Sequence, residues 1–221
     1  MGIPAREAAR EIVRCCRSLW EAGLIAGIDG NVSVRLGPGR VLVTPRGMIK
    51  AELHPDDLVE VDLAGSRTRG CQEPTTELDL HLRVYRRRED CGAVVHAHPP
   101  TATGFAVAGL GLPGDVLPEI ALLMGEVPCV PYATSGTSAL GDAAEPFLDR
   151  HVALLLANHG ALTWGRDLAQ ARIRMESLEH GARILLAARA LGRVNQLTRD
   201  QIDALERMRG NPSHGQNDHG Y

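Results

Sequence analysis

The sequence predicts an α/β protein in which helices cover both faces of a sheet, and three observations carry that expectation. Val152 to Ala157 is an unbroken apolar run of the length expected for a strand covered on both faces, and Ala93 to Ala97 is a second short apolar strand. Pro4 to Ala22 carries Ile12, Val13, Cys16, Leu19 and Trp20 at helical spacing, which gives one apolar face. Asp167 to Leu191 reads as a long helix with Ile173, Leu178, Ile184, Leu185 and Ala188 at apolar positions. A sheet layered between helices is the simplest assembly that buries all of these faces.

The remaining elements follow in chain order. Gly23 ends the first helix. Gly27 to Arg35 is a turn feeding a strand, and Arg40 to Thr44 is a second strand closed by Pro45. Leu58 to Leu63 alternates as a half-buried strand does. Thr75 or Thr76 can cap a helix that runs to Arg88, with acids at Glu77 and Asp79 in its first turn and bases in its last. Pro99-Pro100 stops the Ala93–Ala97 strand, and Thr101 to Ala108 forms a short helix. Val127 to Tyr132 is a strand, after which Ser135-Gly136-Thr137 turns into another helix. Gly192 closes the long helix, and Thr198 caps a last one that runs to Met208. With 221 residues and no linker, residues 1–210 are expected to form one domain. The Asn/Ser/Gly/His-rich tail at 211–221 is expected to be disordered.

Composition narrows the function. A net charge of −3 with scattered basic residues argues against a nucleic-acid partner, and Arg86-Arg87-Arg88 is followed at once by Glu89-Asp90. Glu7, Arg10, Glu11 and Arg14 interrupt any apolar run at the N-terminus, so a signal peptide is not expected. No stretch reaches the roughly 18 apolar residues of a membrane helix, so no membrane partner is expected. The five cysteines are odd in number and lack CxxC spacing, as reduced thiols of a cytoplasmic protein would be.

The chemistry-bearing residues are His96 and His98 in Val94-Val95-His96-Ala97-His98, His159 in Asn158-His159-Gly160, and Glu77 in Thr75-Thr76-Glu77. Two histidines two apart in a strand leave the same face. A third, placed just past a separate buried strand, completes three nitrogen ligands. With one carboxylate, this is the donor set of a catalytic first-row metal site that keeps positions open for a substrate. Each part alone has a plainer reading: a lone HxH is weak, and a glutamate at a helix start is commonly held by the dipole. His54, His81 and His180 read as surface or helix residues and His151 as structural; His214 and His219 fall in the tail. Three segments suit an anion: Gly30-Asn31-Val32-Ser33, Thr44-Pro45-Arg46-Gly47, and Pro74-Thr75-Thr76 at a helix start.

These landmarks, GNVSVR (30–35), TPRG (44–47), PTTE (74–77), VVHAHP (94–99), PYATSGT (131–137) and NHG (158–160), resemble the class II aldolase/adducin family, in particular its fuculose-1-phosphate aldolase-like branch. The resemblance implies a three-layer α/β/α sandwich around a mainly antiparallel sheet. It implies a zinc ion, or another divalent first-row metal, held by His96, His98 and His159, with Glu77 as ligand or acid/base. Substrate phosphate would lie around Gly30, Asn31, Arg46, Gly47, Thr75 and Thr76. The assembly implied is a homotetramer with sites in clefts between subunits. The reaction implied is cleavage of a ketose 1-phosphate to dihydroxyacetone phosphate and an aldehyde through a metal-held enediolate that Glu77 protonates at C3.

Two positions depart from the family pattern. Leu122 stands about where sugar-phosphate aldolases of this branch carry a tyrosine that relays the C4 proton, which leaves Glu119, Tyr132, Tyr221 or water for that role. Arg46 stands where a small hydroxyl residue is common. An apolar Leu122-Leu123-Met124 stretch, if not simply core, fits a less polar aldehyde, so 5-deoxy- and 5-methylthio-ribulose 1-phosphate stand beside fuculose 1-phosphate as candidates. The same site would also serve a sugar-phosphate 4-epimerase or a methylthioribulose-1-phosphate dehydratase. A non-enzymatic adducin-like binding module is the third reading, and retention of every metal ligand speaks against it.

Overall fold

The structure is a computed structural model that describes residues 3–210; the tail at 211–221 lies outside the described residues. Its strands are β1 (Asn31–Gly37), β2 (Arg40–Val43), β3 (Val59–Asp62), β4 (Arg67–Arg69), β5 (Ala93–Ala97), β6 (Cys129–Val130), β7 (Ala153–Leu156) and β8 (Gly160–Gly165). They form one sheet in the order β4-β3-β2-β1-β5-β8-β7-β6. All neighbours are antiparallel except β6 and β7.

The alternation of side chains along the strands sorts two cores onto the two faces. Ala93, Val95 and Ala97 of β5, Ala153 and Leu155 of β7, and Ala161 of β8 face one way. Against them pack α1 (Ala5–Glu21), α3 (Pro100–Val107), α4 (Pro118–Leu123) and α6 (Leu168–Ala190). The small alanines leave room for the Ala171, Met175, Leu178, Ala182 and Leu185 face of α6 to lie close. Val94, Leu154, Leu156, Leu162 and Trp164 face the other way, under α2 (Leu78–Arg87) and α5 (Ser138–Ala144). The result is the expected three-layer sandwich around a mainly antiparallel sheet. The last helix, α7 (Arg199–Gly210), packs on α4. No helix among the described residues is long and apolar enough to cross a membrane, and all five cysteines are free.

The sequence-based expectations differ from the structure in a few elements. β4, β8 and α4 are strands and a helix that hydrophobic spacing leaves unmarked; β8 is bracketed by Gly160 and Gly165, which read as turn residues. The strand expected over Val127–Tyr132 is only two residues long, because Val127 pairs with Leu112 in an isolated bridge instead. On α1 the buried face is Ala8, Ile12, Cys15, Cys16 and Leu19, while Trp20 lies exposed.

Glu179, buried on α6, ties two helices of one layer together, α6 and α3. Its carboxylate accepts the free N–H groups of Thr101 and Ala102 at the start of α3, each at 2.9 Å, and pairs with Arg183 at 2.7 Å. A carboxylate at a helix N-terminus meets both orphan donors and the positive end of the dipole. Glu179→Ala is expected to lower stability by about 2–3 kcal/mol, the worth of hydrogen bonds to a buried charge, as read from chemical unfolding.

Candidate metal centre

The centre sits where β5, β8 and the start of α2 meet. His96 is in β5 and His98 one residue past its end, so both rings leave the α2 face of the sheet. His159 comes from the three-residue turn between β7 and β8, in which Asn158 adopts φ 57°. Asparagine is among the few residues that enter that left-handed region at low cost. The following glycine is required by close approach: a Cβ on Gly160 would stand 2.6 Å from both Ala97 O and His98 Cδ2. Each residue of the Asn158-His159-Gly160 triplet thus has its own reason. The three histidines converge, with ligand atoms all within 4.8 Å of one another.

Glu77 is the N-cap of α2, not part of its first turn. The expected caps Thr75 and Thr76 lie just before it, and its carboxylate makes no cap bond but turns into the centre. Oε1 lies 2.9 Å from His159 Nε2 and Oε2 lies 3.1 Å from His96 Nε2. His96 Nδ1–H donates to the carbonyl of Ala161 at 2.9 Å, which fixes Nε2 as the lone-pair nitrogen. That nitrogen also faces His98 Nε2 at 3.0 Å. His98 Nδ1 lies 3.6 Å from the Asp29 carboxylate. His159 Nδ1 is buried with no partner among the described residues, so its ring is oriented from the Nε2 side.

Electrostatics make this cluster incomplete without a positive charge. Burial by itself pushes the Glu77 carboxyl up, but His96, His159 and the Asn31 amide outweigh it and hold Glu77 well below the usual carboxylate range. Burial pushes His96 down to about 3 and lowers His98 as well, so both are neutral donors near pH 7. The lone pair of His96 Nε2 and the Glu77 Oε2 oxygen, 3.1 Å apart in a buried site, repel unless a cation lies between them. The donor set of three imidazoles and one carboxylate fits a divalent first-row ion.

The three anion-suited segments meet beside Glu77. Thr44 pairs with β1, its hydroxyl accepting from Val32 N–H at 3.2 Å. Arg46 N–H donates to Glu73 O at 2.9 Å and Thr75 N–H to Thr44 O at 3.2 Å, which lays Thr44–Gly47 alongside Pro74–Thr76. Gly30 has φ 70° and backs onto His96 O, where a Cβ would stand at 2.9 Å. Arg46, Gly47 and Thr76 are exposed, and Thr75 is buried. The side chain of Asn31 has other partners: Nδ2–H donates to Glu77 Oε2 at 2.8 Å, and Oδ1 meets His81 Nε2. His81, which reads from sequence as a surface or helix residue, is fully buried on α2, and burial pushes its imidazole down to about 4. The sequence signal for it was the spacing of four that links Glu77, His81 and Tyr85. Glu119 and Tyr132 are exposed, and Leu122 lies on α4.

Gly160→Ala is expected to displace His98 or the Ala97 carbonyl and weaken divalent-metal affinity by about 10–100-fold, measured by competitive chelation, with the fold retained by circular dichroism.

Comparison with known proteins agrees with this geometry. The chain is 38% identical over 197 residues to the 5-deoxy-D-ribulose 1-phosphate aldolase of Bacillus thuringiensis serovar kurstaki, covering 88% of this chain and 92% of that one. It is 34% identical over 206 residues to the 3-oxo-tetronate 4-phosphate decarboxylase of Pectobacterium atrosepticum, covering 90% and 93%. A solved L-fuculose 1-phosphate aldolase superposes with a TM-score of 0.87 at 30% identity, covering 93% of this chain and 97% of that one. The model of the family described as Class II Aldolase and Adducin N-terminal domain matches residues 10–186, a span that takes in the whole sheet and every histidine of the centre. The chain belongs to the class II aldolase and adducin N-terminal domain family.

Proposed function

We propose that this chain is a metal-dependent aldehyde-lyase that cleaves a ketose 1-phosphate into dihydroxyacetone phosphate and an aldehyde. The observation that carries the reading is the meeting of Glu77 with His96, His98 and His159 beside the converged glycine and threonine turns. In our reading His96, His98 and His159 hold zinc, with Glu77 beside it as ligand or acid/base. When bound, the divalent cation supplies Lewis acidity toward the substrate's carbonyl and hydroxyl oxygens.

The chain's own groups do the rest. Gly30, Asn31, Arg46, Gly47, Thr75 and Thr76 form the wall that takes the phosphate, with Arg46 supplying a forked donor from its exposed side. Glu77, desolvated, takes the C3 proton of dihydroxyacetone phosphate in the synthetic direction while water protonates the new C4 oxygen. In cleavage the C4 hydroxyl gives its proton to water as the C3–C4 bond breaks, and protonated Glu77 delivers its proton to C3. Leu122, where a tyrosine is common in the family, favours a product aldehyde with a less polar end. That, with the identity to a 5-deoxy-D-ribulose 1-phosphate aldolase, puts 5-deoxy- or 5-methylthio-ribulose 1-phosphate ahead of fuculose 1-phosphate. We further read residues 1–210 as one catalytic domain working in the cytoplasm as a homotetramer with sites at subunit interfaces. The 34% identity to a 3-oxo-tetronate 4-phosphate decarboxylase supports a second reading, loss of carbon dioxide from the same chelating site.

A panel of ketose 1-phosphates with coupled triose-phosphate detection tests the assignment. Release is expected with zinc and is expected to disappear with a chelator and return on adding metal back. Turnover that survives complete metal removal rejects the reading, and carbon dioxide without triose phosphate selects the decarboxylase. An epimerase would likewise yield no triose phosphate. Glu77→Gln is expected to slow turnover by about two to four decades, the usual worth of a positioned acid/base, while the protein still carries metal by elemental analysis.

A further inference from the structure

A row of polar groups runs from the centre into the layer between α2 and the sheet. Glu77, His81 and Tyr85 stand four apart along α2, and Asn31, Ser33 and Arg35 stand two apart on one face of β1. Four helical residues advance about 6 Å and two strand residues about 6.6 Å, so the two rows stay in step for their whole length. The rungs are hydrogen bonds: Asn31 Nδ2 to Glu77 Oε2 at 2.8 Å, His81 Nε2 to Asn31 Oδ1 at 2.5 Å, Ser33 Oγ to His81 Nδ1 at 2.7 Å, and Ser33 Oγ to Tyr85 OH at 2.9 Å. Arg35 closes the far end, donating to Tyr85 O at 2.6 Å and lying over its ring. His81 and Ser33 are fully buried and Tyr85 nearly so.

Donor and acceptor capacity allows one direction for this chain. An ionised Glu77 only accepts, so Asn31 presents its N–H2 to it and its Oδ1 to His81. Oδ1 only accepts, so His81 Nε2 carries the proton. Full burial among neutral partners leaves no place for a second proton on the ring, so Nδ1 accepts from Ser33 O–H. With its one proton used, Ser33 Oγ accepts from Tyr85 O–H. Every donor points toward the carboxylate, and each bond polarises the next.

We propose that His81, locked as the Nε2–H tautomer by Ser33 and Tyr85, is a positioning residue that keeps the N–H side of the Asn31 amide on Glu77 and so fixes the carboxylate for proton transfer at C3. Without it the amide is free to turn over and set its oxygen against the carboxylate. The role in turnover rests on the aldolase reading above; the tautomer does not.

The test has two independent readouts. Nitrogen–proton correlation spectra of the metal-loaded, histidine-labelled protein, with the His81 signal assigned by His81→Gln, are expected to show a neutral ring protonated at Nε2. A proton on Nδ1, or on both nitrogens, overturns the proposal. In triose-phosphate release, His81→Phe is expected to lower kcat by about 10–100-fold with KM changed by less than about threefold. His81→Gln, which still offers an N–H to Asn31, is expected to recover most of that loss. Equal losses in the two variants, or an unchanged kcat in His81→Phe, overturn it. A wild-type protein that releases no triose phosphate from any substrate refutes the aldolase reading instead, and the spectra still decide the tautomer.

Discussion

The constraint on which the rest depends is a buried carboxylate facing the unprotonated ring nitrogen of His96. Glu77 is 7% exposed, and its two oxygens look at His96 and His159 while burial keeps His96 neutral. In water such a group is stabilised by solvent; here it is stabilised by whatever positive charge the cluster encloses. Binding of a cation and stability of this corner of the fold are therefore one free energy viewed from two sides.

The scaffold meets that constraint by dividing labour between the faces of the sheet. The face toward α6 carries mostly alanines and valines on its central strands, so the long helix lies close. The face toward α2 changes character from strand to strand. Leu154, Leu162 and Trp164 on one side, and Val41, Val43, Val59 and Val61 of β2 and β3 on the other, form an ordinary apolar core. Between these, on β1 and β5, Asn31, Ser33 and His96 are polar, each satisfied by a partner on α2, on β8 or in the centre. Function occupies the strip where hydrophobic packing gives way, and a helix start and two strand ends deliver its groups.

Sequence alone made much of this legible, and the reasons are physical. Helical and alternating periodicity marked α1, α6, β3, β5 and β7, because each has a single or double apolar face that a short window reveals. The metal centre was legible because its donor types are rare and chemically specific. β8 was not, since glycines at both ends resemble a turn, and only the pairing of Ala161 with Ala97 and of Leu162 with His96 shows it to be central. Glu77 was expected inside the first turn of α2; the cap position is a backbone detail that a one-residue shift conceals. His81 stayed hidden because its partners lie 48 and 50 residues away in β1, and a spacing of four on one element matched to a spacing of two on another appears only when both are known.

The ladder that frames the centre has a consequence for how the protein is made. β5 is flanked by β1 on one side and β8 on the other, and His96 reaches across 65 residues to its carbonyl partner Ala161. Such non-local pairing closes late in folding. A nascent chain leaving the ribosome holds Glu77, His96 and His98 long before His159 and the β8 strand exist. Chains that end before His159 lack the third imidazole, and those that end before Ala161 lack the carbonyl that orients His96, so the full donor set exists only once β8 has been made.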